Sequence, residues 1–436
     1  RNEILNRRQL SSQGAAARRN LIEAMLQRAE QPLLGIEGFP PERSMYESIL
    51  RAGGLHRESA SGVWELREPP LDDPLRLTPV WAGFSQSIFQ EPPVQQNVEA
   101  LFVSLGGPPY GLTEGVLPVL LCLFLQIYGD EITLYSDGSL VPEPSIADWE
   151  VLLRRPELYA VAGCRIVGPR RAVVERLALG LQTEPAAMPV VRELIRQMKS
   201  LPEHAWRTQR LSEPTLAARR AIEMTRSPEG LLFHELPAAL GLLPFDAAAV
   251  TQQEAIDEFF GLLNATLQEL SEAMPQLLTE AQNHWLEVCG LPGGPAGWQE
   301  FLALAKQLAP QIHHTTLAPL LHRANQAGDE KAALESVLAY VSNRPPRTWS
   351  DNDRTQYMGK AAAMGRLFQQ ERNGHAAEFG LTARQRAQSQ RVAENLRSYM
   401  AELKIDDPLV MQAALQALLQ EQRPNQQTEY SNGRNP

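Results

Sequence analysis

Cysteine is almost missing. The 436 residues hold three, Cys122, Cys164 and Cys289, far apart and without a C-x-x-C pair. Neither a disulfide framework nor a cysteine zinc site is expected, and a reducing, cytoplasmic setting fits best. Long apolar runs are lacking too. The greasiest, Val116 to Tyr128, contains Pro118 and falls short of the roughly 20 residues a bilayer-spanning helix needs, so no membrane partner is expected. The opening residues read as helix rather than as a secretory signal. No G-x-x-x-x-G-K-[ST] phosphate loop occurs, which excludes a self-sufficient P-loop ATPase. H-E-x-x-H is absent, since His234-Glu235 runs on into Leu236, Pro237 and Ala238, and so is G-x-S-x-G. No catalytic residue, cofactor or metal ligand is therefore assigned, and the chain is not expected to be an enzyme.

Three fragments imitate chemistry without carrying it. Gly129-Asp130-Glu131 follows an apolar run, as a Walker B strand would, but that run has helical period and reads as a helix end before a hairpin. Gly106 to Gly111 opens a helix, where N–H groups favour anions, yet Pro108 and Pro109 remove two donors; a rigid turn is expected. His313, His314 and His322 cluster in sequence with no Cys or Asp at ligand spacing, and read as surface or packing residues.

What is present is a chain with 43% apolar residues, enough to build real cores, and a net charge of -10, which argues against coating nucleic acid everywhere. The charge is uneven. Residues 31–150 hold 5 Lys/Arg against 17 Asp/Glu, whereas 151–230 hold 14 against 8. An acidic block therefore precedes a basic one. In the basic block Arg154, Arg155, Arg165, Arg170, Arg171 and Arg176 are the candidate contact residues, for duplex DNA phosphates or for a protein surface. The alternatives are a solvated face, or docking on the acidic block just upstream.

The pattern predicts a mainly α chain with a small α+β winged-helix-like module and a C-terminal helical bundle containing a long heptad helix. The expected divisions are a linking helix (1–30), a helical and irregular segment (31–93), the winged-helix-like module with its basic edge (94–182), a helical connector (183–250), a bundle or coiled-coil-like hairpin (251–423) and a disordered tail (424–436). Ser11 or Ser12 should cap the first helix, and at most one strand is expected between Arg57 and Leu66. A second helix should follow Pro40-Pro41 and stop at Gly53-Gly54. In the module, helices at 94–105 and 113–128, the latter capped by Thr113, lead to a hairpin turning at Asp137-Gly138, a pair suited to type I′ geometry. Ser145 should cap the next helix. The second helix of the module is too apolar to serve as a solvent-facing recognition helix. Beyond Pro169 only helices are expected. In the longest, 251–289, Ile256, Phe260, Leu263, Leu267, Leu270, Met274 and Leu277 step by four and three like a coiled-coil seam, with a kink at Pro275. A helix from Thr382, through Val392, Leu396, Tyr399 and Leu403, would be its antiparallel partner.

The stretch Leu34-Gly-Ile-Glu-Gly-Phe-Pro-Pro-Glu-Arg-Ser-Met-Tyr-Glu-Ser-Ile-Leu50, followed by Gly54-Leu-His-Arg57, resembles the region beyond the ATPase core in very large bacterial P-loop ATPases of phage-defence islands, the BREX type. Three further stretches resemble the same proteins: Pro109 to Pro118 with Leu134 to Pro142, Ser227 to Pro237, and Val392 to Arg397 with Asp407-Pro408. The resemblance covers most of the chain, but no quoted stretch is a catalytic motif and no catalytic residue is carried over. It implies a non-hydrolytic C-terminal part that links an ATPase motor to DNA or protein partners of a defence complex, with ATP and Mg bound elsewhere in the full-length protein. The opening on Arg1, inside an expected helix, suits a piece of a longer chain. The competing expectation is a free-standing helical scaffold or adaptor.

Overall fold

The computed structural model describes residues 3–6, 9–246 and 252–379, with separate residues between 388 and 399. The disordered tail, the last helix and most of the helix expected from Thr382 lie outside the described residues. The chain divides into two compact units, 1–280 with 344–355, and 281–343 with 356–436. It is mainly helical with a small antiparallel sheet region, and among the described residues no helix is long and apolar enough to cross a membrane.

The first unit opens with α1 (Glu3–Asn6) and α2 (Ser12–Gln27), the latter capped by Ser11, whose hydroxyl accepts from the Gly14 N–H. Next comes α3 (Pro41–Tyr46), with proline in its first turn, and it continues into a π-type turn at Glu47–Arg51. Two strands then pair, β1 (His56–Glu58) with β2 (Trp64–Leu66), where at most one was expected. Between them the Ser59 N–H bonds to the Val63 carbonyl and Gly62 takes φ +81°, a loop whose Ser-rich sequence carries no strong hairpin signature. The helix α4 (Thr78–Ile88) was not anticipated.

In the next stretch β3 (Gln96–Asn97), α5 (Val98–Gly106) and α6 (Leu117–Ile127) lead to the hairpin of β4 (Ile132–Ser136) and β5 (Ser139–Val141). Asp137 and Gly138 both have positive φ, +47° and +74°, and Ser136 faces Ser139 across the turn, which is type I′. Thr113 does not cap α6. Its hydroxyl instead donates to the Ile4 carbonyl at 2.8 Å, and the helix begins four residues later. Then α7 (Ile146–Arg154), closed by a Ser145–Asp148 capping box, delivers β6 (Tyr159–Gly163). The strand order is β3-β6-β4-β5, so β6 separates β3 from the hairpin and β5 is an outer strand. The apolar run of α6 is buried, and one hydrophobic cluster runs from Ile4 to Val161, without a break at residue 93.

A second cluster, Val173 to Leu270, is built by α8 (Arg170–Leu181), α9 (Ala187–Ser200), α11 (Glu213–Glu223), a π-type turn at Leu231–Glu235, α13 (Leu236–Ala239) and the first part of α14 (Gln253–Val288), with the short α10 (Glu203–Arg207) and α12 (Pro228–Gly230) between them in sequence. Along α14, Ile256, Leu263, Leu270 and Leu277 are buried. Of the remaining residues expected in the seam, Met274 is buried whereas Phe260 and Leu267 are half-buried, and Phe259, Thr266 and Ala273 are buried beside them. Phe260 is diverted because Gly180 leaves no Cβ where its ring packs. The helix continues through Pro275.

The second unit holds α15 (Gly294–Leu308), α16 (Leu317–Gln326), α17 (Glu330–Ser342) and most of α18 (Asp351–Phe379). Trp285, Trp298, Phe301 and Phe368 form its aromatic centre. Gly365 allows α18 to lie against the Val288 backbone, and buried Tyr357 donates its hydroxyl to the Ala281 carbonyl at 2.9 Å.

Candidate functional site

The six arginines of the basic block do not form one free surface. Arg154 is exposed at the end of α7, and Arg155 pairs with Glu157 at 2.7 Å. Arg165 holds Glu131, a residue of the acidic block, and its guanidinium lies 4.3 Å from the centroid of the Phe89 ring. Arg171 pairs along its own helix with Glu175 at 2.8 Å. Arg176 bonds Asp257 at 2.8 Å, which draws that carboxyl below its ordinary range, and stacks 3.8 Å over Phe260.

Arg170 is anchored most deeply, and the reason lies in a proline. In an α-helix the Phe233 carbonyl would accept from residue 237, but Pro237 has no N–H. The turn widens, Leu236 bonds back five residues to Leu231, and the Phe233 carbonyl accepts instead from the Phe245 N–H at 2.9 Å. The Phe245 carbonyl then takes Arg170 Nε at 2.9 Å, while the guanidinium sits 4.7 Å over the Phe233 ring. Arg170 Nη2 also lies 3.2 Å from His234 Nε2. Burial lifts the Glu229 carboxyl above its usual range, with Arg170 and His234 opposing. Burial likewise lifts Glu235, against Arg226 and His234. The sequence hid this arrangement because Phe245, which completes it, stands 75 residues from Arg170.

A second histidine is held in the other core. His56 is buried, donates through Nε2 to the Ala29 carbonyl at 2.8 Å, and accepts through Nδ1 from the Tyr46 hydroxyl at 2.9 Å. Burial lowers its pKa, which fixes the neutral form. Burial pushes the Cys164 thiol up to about 12, and Cys122 and Cys289 are also raised by burial, so no cysteine here is poised as a nucleophile.

The Gly106 to Gly111 turn uses its donors internally. The N–H groups of Tyr110 and Gly111 bond to the Gly107 carbonyl, and that of Leu112 bonds to Leu105. The Gly129-Asp130-Glu131 segment joins α6 to β4, a helix end before the hairpin. His313, His314 and His322 are exposed, and among the described residues no group of three His, Cys, Asp or Glu side chains is placed to hold a metal.

Two open clefts are large, one of about 980 Å³ lined by Phe102, Gly111, Thr113 and Leu117, the other at the hairpin tip. The latter measures about 750 Å³; Leu140, Ile195, Met198, Trp206 and Ile222 line it along with charged Asp137, Lys199, Glu223 and Arg226. Met224, 65% exposed, also lines it. No family model, no curated protein and no solved structure matches the chain.

Proposed function

We propose that this chain is the non-hydrolytic interaction region of a large bacterial anti-phage defence ATPase of the BREX type, and that its contacts are chiefly with protein. The observation that carries the choice of protein over DNA is the state of the basic block: Arg155, Arg165, Arg170, Arg171 and Arg176 are engaged by this chain's own carboxylates, carbonyl and rings. A phosphate backbone would have to displace those partners, so the electrostatic footprint that DNA needs is weak. The sheet module is the winged-helix-like element of this reading, with β6 inserted beside its hairpin and a buried α6 that offers no recognition helix. The seven-residue burial repeat of α14 supplies the coiled-coil-like element. The cleft at the hairpin tip, with Trp206 and exposed Met224, has the composition of a protein contact. ATP and Mg would be bound by a motor encoded upstream, in a cytoplasmic complex. Sequencing the reading frame ahead of Arg1 tests this: an in-frame Walker A loop is expected, and a start codon immediately before Arg1 would leave the free-standing scaffold instead.

A further inference from the structure

A small pocket lies where α10, α14 and the start of α18 meet. Its volume is about 80 Å³, well under the roughly 300 Å³ at which sites for drug-sized ligands begin. Ala273 and Leu277 supply its apolar wall, and His204, Arg210, Glu280 and Arg354 its polar one. His204 is 4% exposed, and its Nδ1 donates to the Trp349 carbonyl at 2.8 Å. The other ring nitrogen, Nε2, has no partner among the described residues and is not sealed from water. In so buried a ring, that opening runs through the pocket the ring lines. The Arg354 guanidinium donates from Nε at 3.1 Å and from Nη2 at 2.8 Å to a single oxygen, Glu280 Oε2, which leaves Nη1 over. Arg210 bonds through its backbone N–H to Thr208 Oγ1 at 3.2 Å, and its guanidinium has no partner among the described residues. Two guanidiniums thus share one carboxylate, beside an imidazole nitrogen that nothing in the chain satisfies.

We propose that this pocket binds inorganic phosphate in its monohydrogen form. The phosphate oxygens would accept from Arg210 and from Arg354 Nη1, as charge-assisted bonds. Its hydroxyl would donate to His204 Nε2. A neutral imidazole whose proton is on Nδ1 can only accept at Nε2, and that selects the anion. Sulfate has the same shape and charge but no proton to give, and a phosphate monoester has lost its own above pH 7. The volume admits a single phosphoryl group, which separates this site from nucleotide binding. The site is independent of the proposed role in a defence ATPase.

Inorganic phosphate is the probe, titrated calorimetrically into the full chain at pH 8, with sulfate and phosphoserine as oxyanions that carry no proton at that pH. Saturable phosphate binding is expected, with both controls weaker by roughly tenfold or more. Arg210→Gln should weaken phosphate by a similar factor and keep the parent melting temperature, because the guanidinium it removes has no partner to lose. His204→Asn retains an N–H for the Trp349 carbonyl and removes the nitrogen at Nε2, so phosphate should fall to the level of sulfate. If that variant melts lower than the parent, Arg210→Gln carries the test. The site is refuted by the absence of saturable phosphate binding, by sulfate or phosphoserine binding as tightly as phosphate, or by an Arg210→Gln protein that binds phosphate as the parent does.

Discussion

The two hydrophobic clusters of the first unit bury different polar side chains. In the Ile4–Val161 cluster the fully buried polar side chains are neutral: Tyr46, His56 and the Ala29 carbonyl form a chain of uncharged hydrogen bonds, and buried Thr133 donates to the Ala162 carbonyl. Around the Val173–Leu270 cluster a buried cation joins neutral His204, Thr208, Thr215 and Thr266. Arg219, 7% exposed, donates to the Ala205 and Thr208 carbonyls at 2.8 and 2.9 Å, and Arg170 and Arg176 are pinned by rings, a carbonyl and a carboxylate. A basic stretch in a sequence is therefore not by itself a basic surface. Arginine is suited to this internal role because its planar fork satisfies carbonyls and stacks on rings at once.

The contrast is most easily broken at Arg219. Replacement by Met leaves two carbonyls without their donor, and urea unfolding of the first unit should show a loss of about 2 to 3 kcal/mol. An unchanged midpoint would mean that the cationic cluster is not structural. Gly180→Ala attacks the same cluster by packing, since the new methyl meets the Phe260 ring. Overpacking of this kind costs about 1 to 3 kcal/mol and should free Arg176 from its stacked position, which a rise in salt sensitivity would report.

The neutral cluster should answer to pH instead. The folded pKa of His56 lies below its ordinary 6.5, so its contribution is complete above pH 6.5 and is lost as pH falls through the lowered folded value. Denaturant titrations between pH 8 and 5 should show this decline, and His56→Gln should flatten it. Tyr46→Phe removes one hydrogen bond and should cost about 1 kcal/mol at pH 8. The smallest effect is expected from Arg171→Ala: its pair with Glu175 is exposed and contributes between about 0 and 1 kcal/mol.

Local chemistry made several parts of the molecule legible. Asp137-Gly138 demanded a type I′ turn, Ser11 and Ser145 announced their helices, and the apolar α6 could only be buried. What stayed hidden depends on partners distant in the chain. The π-type turn at Leu231–Glu235 exists because Phe245 replaces the donor that Pro237 lacks, and Phe260 leaves the expected seam because Gly180 makes room for it. The β1–β2 pair was missed for a different reason: each strand is three residues long, too short for alternation to register. At the basic block the residues were readable and their partners were not, since Glu131, Phe245 and Asp257 lie 34 to 81 residues away from the arginines they hold.

The central claim, that the basic block serves the fold rather than a nucleic acid, meets its most direct test in Arg165→Ala, Arg170→Ala and Arg171→Ala combined. Thermal unfolding and duplex-DNA affinity across a salt series are measured on the parent and the triple variant. The account predicts a lowered melting temperature, with whatever weak DNA binding the parent has unchanged in strength and in salt slope. An unaltered melting temperature, together with lost affinity and a shallower slope, would contradict it and return these arginines to the phosphates.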